Sequence, residues 1–271
     1  MSAPSLLIKE LAFAYPDGTQ ALYGVNLSIN KGERVALLGP NGAGKSSLMN
    51  CLSGFYRPKK GDISLAGRNV RNIAVHDVAA QGLARTFQGT HIFSGMSVIE
   101  NLMVGRHMHM KTNLVQSFFH FGPSQREEVL HREAVEEIIE FLEIESIRHV
   151  PVGSLGYGLR KRVDLGRALA QDPKILLMDE PTSAMDMQTE LTFTKRLPGI
   201  AEGRTVIIVT HRPSLLSVVD RVVVMEPRPG RIRRIVPVGA FLIVTEPLPA
   251  ELLARSSCVL SDCDAVPALA Q

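Results

Sequence analysis

Apolar and polar positions alternate at the start of the chain, through Leu6 and Ile8 and then Leu22, Val25, Leu27 and Ile29, on either side of Tyr15-Pro16-Asp17-Gly18. A period of two interrupted by a Pro/Gly turn predicts antiparallel strands joined by hairpin turns. After another turn at Lys31-Gly32-Glu33, residues Arg34 to Leu38 predict a short apolar strand feeding a glycine-rich loop. Helical spacing returns over Ser46 to Leu52 and again from about Val98 to Val150. Within the second stretch, Val129, Leu130, Ala134, Val135, Ile138, Ile139 and Leu142 share one predicted helix face. The segment Arg106 to Gly122, rich in His, Met and Phe, has no clear period.

Leu159 to Ala170 predicts a basic amphipathic helix, stopped by Gln171-Asp172-Pro173. Three apolar runs follow, at Ile175–Met178, Val206–Val209 and Val222–Met225. Uninterrupted Val/Ile/Leu runs separated by helices predict a parallel sheet buried on both faces, so the fold class is α/β with a helix-rich block inserted between two halves of the core. After Glu226 the pattern fades: the remaining residues hold six prolines and no lysine, and the tail is expected to be poorly specified and partly disordered.

Composition narrows the function. Of the 271 residues 45% are hydrophobic and 21% charged, the balance of a globular chain with a sizeable core. A formal charge of +3 is too small a bias to indicate a nucleic-acid binder. Cys51, Cys258 and Cys263 are scattered and odd in number, which argues against a disulfide framework or a cysteine zinc site and for a reducing cytoplasm. Met1 to Glu10 lacks the features of a secretory signal, and the longest uncharged apolar run, Ile235 to Val244, is well short of the roughly 20 residues that span a bilayer.

The informative chemistry starts with Gly39-Pro40-Asn41-Gly42-Ala43-Gly44-Lys45-Ser46, which fits G-x-x-x-x-G-K-[ST] between a strand and a helix. Glycines let backbone N–H groups point inward as a nest for anionic oxygens, and the following helix, through Ser46 and Ser47, offers its positive end to the same phosphates. Lys45 supplies a point charge to the β- and γ-phosphates, and the Ser46 hydroxyl can ligate Mg²⁺. Further on, the strand Ile175 to Met178 ends in Asp179 and Glu180. Acids at the C-terminal edge of a parallel sheet lie where ligands of such folds bind: Asp179 suits a contact to Mg²⁺, Glu180 the polarising of an attacking water. A nucleoside triphosphate and Mg²⁺ are the ligands these residues imply.

Together these residues resemble the ATP-binding cassette (ABC) ATPases over roughly Leu6 to Ile232. In that likeness Tyr15 matches the aromatic residue that stacks on adenine, and Gln88, in Thr86-Phe87-Gln88-Gly89, the glutamine loop that senses Mg²⁺ and couples to the membrane partner. Leu155-Gly156-Tyr157-Gly158-Leu159 stands where the L-S-G-G-Q signature belongs, Ser183-Ala184-Met185-Asp186 matches the D-loop, and His211 the switch histidine. The resemblance implies a P-loop NTPase (RecA-like) core, an antiparallel β subdomain and an inserted helical subdomain at about 89–160, all within 1–232, with 233–271 as an extension of unknown role. It implies catalytic roles for Lys45, Gln88, Glu180 and His211, with Mg²⁺ held by Ser46, Gln88 and Asp179. The nucleotide it implies is ATP, bound by Tyr15, by 39–47, and by Gly156, Tyr157 and Gly158 of a second subunit.

This likeness has departures. Gly156 replaces the serine whose hydroxyl reaches the γ-phosphate across the dimer, and Leu159 replaces the glutamine; a Tyr-Gly signature is nonetheless similar to that of branched-chain amino-acid importers. The stretch from Asn50 to Tyr56, with Gly89 to Phe93 and Glu100 to Leu102, resembles those importers too. Phe13 to Gly18 looks more like metal importers, and Pro181 to Asp186 with Val209 to Arg212 more like peptide or protein exporters. The expectation is an ATP-hydrolysing transporter subunit, peripheral on the cytoplasmic face of the cell membrane, importing branched-chain amino acids or similar small polar solutes. Its partners would be separate transmembrane permease subunits, a second ATPase subunit and a solute-binding protein, with no nucleic acid. An export ATPase, or a weakly hydrolysing regulatory subunit beside an active paralogue, is the alternative. His107, His109, His120 and His131 are expected in a solvated loop rather than as metal ligands.

Overall fold

In this computed structural model residues 4–86, 92–109, 123–183, 185–226 and 230–237 are described, the side chains of 123–127, 233 and 234 excepted. Strands β1 (Leu6–Ala14) and β2 (Gln20–Ile29) pair antiparallel around the 15–18 turn, with Leu6 opposite Ile29 and Phe13 opposite Leu22. Two short strands with no clear signature in the sequence, β4 (Lys60–Leu65) and β5 (Arg68–Asn69), complete a four-stranded sheet in the order β2-β1-β4-β5.

A second, six-stranded sheet carries the chemistry. Its order is β10-β9-β3-β8-β7-β6, formed by β3 (Arg34–Leu38), β6 (Leu83–Thr86), β7 (Ile175–Asp179), β8 (Thr205–Val209), β9 (Arg221–Met225) and β10 (Ile232–Pro237). All neighbours pair in parallel except β9 and β10. The apolar runs have the expected cause: every residue of β7 and β8 is buried, because side chains alternate between two covered faces. Leu176 and Met178 enter a core shared with the helices, while Ile175 and Leu177 enter one shared with the small sheet. Each such fully buried side chain contributes about 1.5–3 kcal/mol.

Helix α1 (Lys45–Leu52) follows the glycine-rich loop, and the six-residue α2 (Val75–Ala80) precedes β6. The inserted block contains α3 (Val98–Arg106), α4 (Pro123–Phe141) and α5 (Tyr157–Leu169). Ser97 starts α3 with a capping box, its hydroxyl accepting from the Glu100 N–H while the Glu100 carboxylate accepts from the Ser97 N–H at 2.7 Å. Helix α6 (Met187–Ile200) begins at Asp186, which accepts from the Thr189 N–H at 2.9 Å, and the short α7 (Pro213–Leu216) follows β8.

Three expectations change. Val129 and Leu130, placed on the buried face of α4, are exposed; the face meets the core only from His131 onward, at Val135, Ile139 and Leu142. His131 is itself buried, with its Nδ1 3.3 Å from Arg106 Nε, so it is not a loop histidine. Part of the tail takes regular structure: β10 adds an antiparallel edge strand to β9, with Ile232 opposite Met225 and Pro237 opposite Arg221. Residues 110–122 and 238–271 lie outside the described residues, as do the expectations made for them.

Candidate active site

The loop between β3 and α1 owes its shape to residues that tolerate positive φ. Gly39 has φ 151° and Gly44 φ 87°. A Cβ on Gly39 would lie 2.7 Å from the Met225 carbonyl oxygen, and one on Gly44 2.7 Å from that of Ala21. Both positions therefore exclude side chains on two counts, backbone conformation and space. The turn delivers the chain into α1 with the N–H groups of its first turn lacking intrahelical acceptors, the normal condition of a helix start and a receptive one for anions. Lys45 is buried, and its ammonium donates to the carbonyls of Gly39 at 2.6 Å and Pro40 at 2.9 Å. Burial lowers its pKa, and the charges of Glu180 and Asp179 work against that shift.

Asn41, Gly42, Ala43, Gly44, Lys45, Ser46 and Ser47 line a cleft of about 420 Å³ whose opposite wall is Asp179 and Glu180. That volume suits a nucleotide. A crevice between α5 and α6 holds only about 30 Å³, scarcely more than a water. Asp179 is the buried last residue of β7, and its Oδ2 lies 3.1 Å from Nη2 of Arg85, both side chains almost fully enclosed. Glu180 turns sharply away from the sheet: its φ is 48°, a left-handed conformation costing a non-glycine residue about 1–2 kcal/mol. Its N–H is retained by the Val209 carbonyl at 2.9 Å. The turn carries its carboxylate to within 3.5 Å of His211 Nε2, at the end of the neighbouring strand.

Tyr15 supplies the third wall. Its hydroxyl shares a 2.7 Å hydrogen bond with Ser47 Oγ, and its ring stands edge-on to Phe13 and Tyr56, which stack at 4.8 Å. The Tyr15 ring that lines the cleft is thus held in place by two other aromatic rings. Oxygen donors for a divalent cation converge here as well: Ser46 and Asp179 line the same cleft. A hydroxyl and a carboxylate, completed by substrate phosphates and water, make the sparse oxygen set that Mg²⁺ takes. Among the described residues no group of three His, Cys, Asp or Glu offers an alternative metal centre.

Gln88 and Ala184 lie outside the described residues. Gly156, Tyr157 and Gly158 stand at the start of α5 and are not part of the cleft wall. Several residues that the sequence pattern did not single out hold the site together. Lys161, one turn into α5, is buried with its ammonium 5.7 Å from the Tyr157 ring centre; burial lowers its pKa, opposed by Asp164, Asp179 and Glu180. Asn101, fully buried in α3, donates to the carbonyls of Phe93 and Ser97 at 3.0 Å each and so pins the segment that follows residue 91. Glu190 of α6 accepts from Ser214 and, at 3.0 Å, pairs with Arg212, bracing the segment after His211. A polar residue within an apolar helix period is the one signal that could have exposed Asn101; Arg85 and Glu190 gave none.

Comparison with known proteins agrees with this geometry. The family pattern described as ABC transporter matches residues 22–183. The high-affinity branched-chain amino acid transport ATP-binding protein BraF of Pseudomonas aeruginosa is 35% identical over 234 residues, 83% of this chain and 89% of that protein. A nucleotide-free ATP-binding cassette from an ABC transporter superposes with a TM-score of 0.77 at 28% identity, covering 92% of this chain and 98% of that one. A cassette in its ADP conformation gives 0.76 at 28% identity, covering 93% and 99%.

Proposed function

The chain belongs to the ABC transporter family, as an ATP-binding and ATP-hydrolysing cassette, and on that premise we propose that it powers import of branched-chain amino acids or similar small polar solutes. The observation carrying the catalytic part is a single cleft bounded by the phosphate loop on one side and by Asp179 and Glu180 on the other. In this reading adenine stacks on Tyr15, the N–H groups of 41–47 and the Lys45 ammonium grip the phosphates, and Glu180 orients the attacking water. His211, beside Glu180, supports the γ-phosphate. Lys45 already bonds two loop carbonyls, so binding substrate means exchanging those partners for phosphate oxygens. Ser46 and Asp179 would hold Mg²⁺, together with Gln88 by resemblance; when bound it neutralises charge developing on the phosphoryl oxygens. Positioning and electrostatics supply nearly all the rate in such chemistry.

Gly156 to Gly158 complete the site of a second ATPase subunit, since in their own protomer they stand apart from the cleft. No helix among the described residues is long and apolar enough to cross a membrane, and the proposed path for solute lies in separate permease subunits, fed by a solute-binding protein, with this chain at the inner face. The identity to BraF over most of both chains supports the solute class.

The test is uptake of labelled leucine, isoleucine and valine by vesicles holding the co-encoded permease subunits with this chain or its Glu180→Gln form. ATP-dependent accumulation lost in the variant supports the proposal; outward movement, or transport of none of the three, overturns it. Gly156 and Leu159 favour one second reading, a slow subunit beside an active paralogue, whose mark is ATP binding with negligible phosphate release by the purified chain.

A further inference from the structure

Arg85 does not line the nucleotide cleft, yet it touches the framework around it. Its guanidinium reaches two elements other than its own strand. One amino group, Nη1, donates to Asn50 Oδ1 and lies 3.3 Å from Ser53 Oγ, at the two ends of the last turn of the phosphate-binding helix. The other, Nη2, donates to Asp179 Oδ2 at 3.1 Å, at the tip of β7. Arg85 itself sits on β6, the strand hydrogen-bonded beside β7, three residues before Gln88.

Side-chain exposures of 6% for Arg85 and 4% for Asp179 remove water as a competitor, so the carboxylate has little freedom to turn away from this partner. A planar fork can hold divergent acceptors at fixed angles, which a lysine point charge cannot. We propose that Arg85 is a positioning residue for the metal-facing carboxylate. It grips Asp179 from behind through Oδ2 and keeps it in register with the α1 helix that presents Ser46, so that both oxygen donors are in place before a divalent cation arrives. The same contact joins this pair of donors to the strand that enters the glutamine loop. The inference deepens the proposed function and rests on Asp179 as a ligand of Mg²⁺.

The experiment uses the full chain with Mn²⁺ as the probe. Its affinity is measured by electron paramagnetic resonance in the presence of ADP, and ADP binding alone is measured by calorimetry in EDTA. Arg85→Lys is expected to weaken Mn²⁺ about tenfold, the usual effect of removing a group that orients a metal ligand, with metal-free ADP affinity unchanged. Asn50→Ala leaves both buried charges and is expected to act in the same direction by a smaller factor. Should Arg85→Lys not fold, Asn50→Ala decides: unchanged Mn²⁺ affinity in it overturns the proposal. An equal loss of ADP binding in EDTA also overturns it, since that marks a general structural role. Asp179→Asn separates the layers. If it weakens Mn²⁺ while Arg85→Lys does not, the inference about Arg85 fails alone; if Asp179→Asn has no effect, the metal assignment beneath it fails.

Discussion

Replacing Glu180 with glutamine removes a charge and almost nothing else. The side chain keeps its length, the 48° φ is a backbone property that glutamine inherits, and the N–H bond to Val209 is untouched. Its carboxylate lies 3.5 Å from His211 Nε2, across a pair 26% and 38% exposed, where an ion pair contributes at most about 1 kcal/mol. Stability should therefore move by no more than that. Turnover should move far more. A carboxylate placed to take a proton from water contributes about 10²- to 10⁴-fold, which at about 1.36 kcal/mol per decade is about 3–5 kcal/mol of barrier. Phosphate release measured against ATP concentration should show kcat down by at least about 100-fold with KM little changed, because Tyr15, Lys45 and the loop amides still bind nucleotide. With binding kept and cleavage slowed, gel filtration should reveal an ATP-loaded dimer. A well-folded Glu180→Gln protein whose turnover stays within about threefold of the parent, far below a general base's usual share, would refute the assignment of Glu180 as the group that polarises water.

Two other substitutions test separate parts of the structure. A Cβ on Gly156 meets nothing within 4 Å, and its φ of −64° and ψ of 158° suit a serine at a helix start; Gly156→Ser should add a few tenths of a kcal/mol to stability. If its hydroxyl reaches a γ-phosphate from the partner, turnover should rise about tenfold or more, and a rate at or below the parent's refutes that reach. Asp220 accepts from the Arg34 guanidinium at 2.6 Å, which holds its carboxyl below the usual range. A depressed folded pKa stabilises the protein above the unfolded value near about 4 and ceases to do so as pH falls through the folded one. Asp220 is 42% exposed, so Asp220→Asn should cost no more than about 1 kcal/mol at neutral pH. That gap should close in urea titrations at progressively lower pH, whereas a pH-independent gap contradicts the linkage.

Motifs whose chemistry is local were readable from the chain. Gly39 to Ser46 announce themselves because the turn needs glycine and the phosphates need Lys45, and β7 because a strand buried on both faces must be apolar throughout. Buried long-range partners were not readable. Arg85 looks like any arginine in a short strand until β6 pairs with β7 and brings Asp179 to it. Lys161 likewise reads as a surface charge of a basic amphipathic helix and Glu190 carries no signal at all, and only tertiary packing buries them. Val129 and Leu130 failed in the opposite sense: they share the helical period of the buried positions, but among the described residues nothing covers them. β10 escaped notice because an edge strand draws half its pattern from the neighbour it pairs with, here β9.

That last strand decides where residue 237 sits. Since β10 runs against β9, Pro237 lies level with Arg221, at the margin of the sheet opposite the strand tips that present Gly39 and Asp179. It also occupies the border farthest from β6, roughly 24 Å away at about 4.8 Å per strand. A fluorophore or affinity handle joined through a linker after Pro237 would thus start out on the far side of the molecule from nucleotide, giving a reporter for assembly experiments that leaves the catalytic mouth clear.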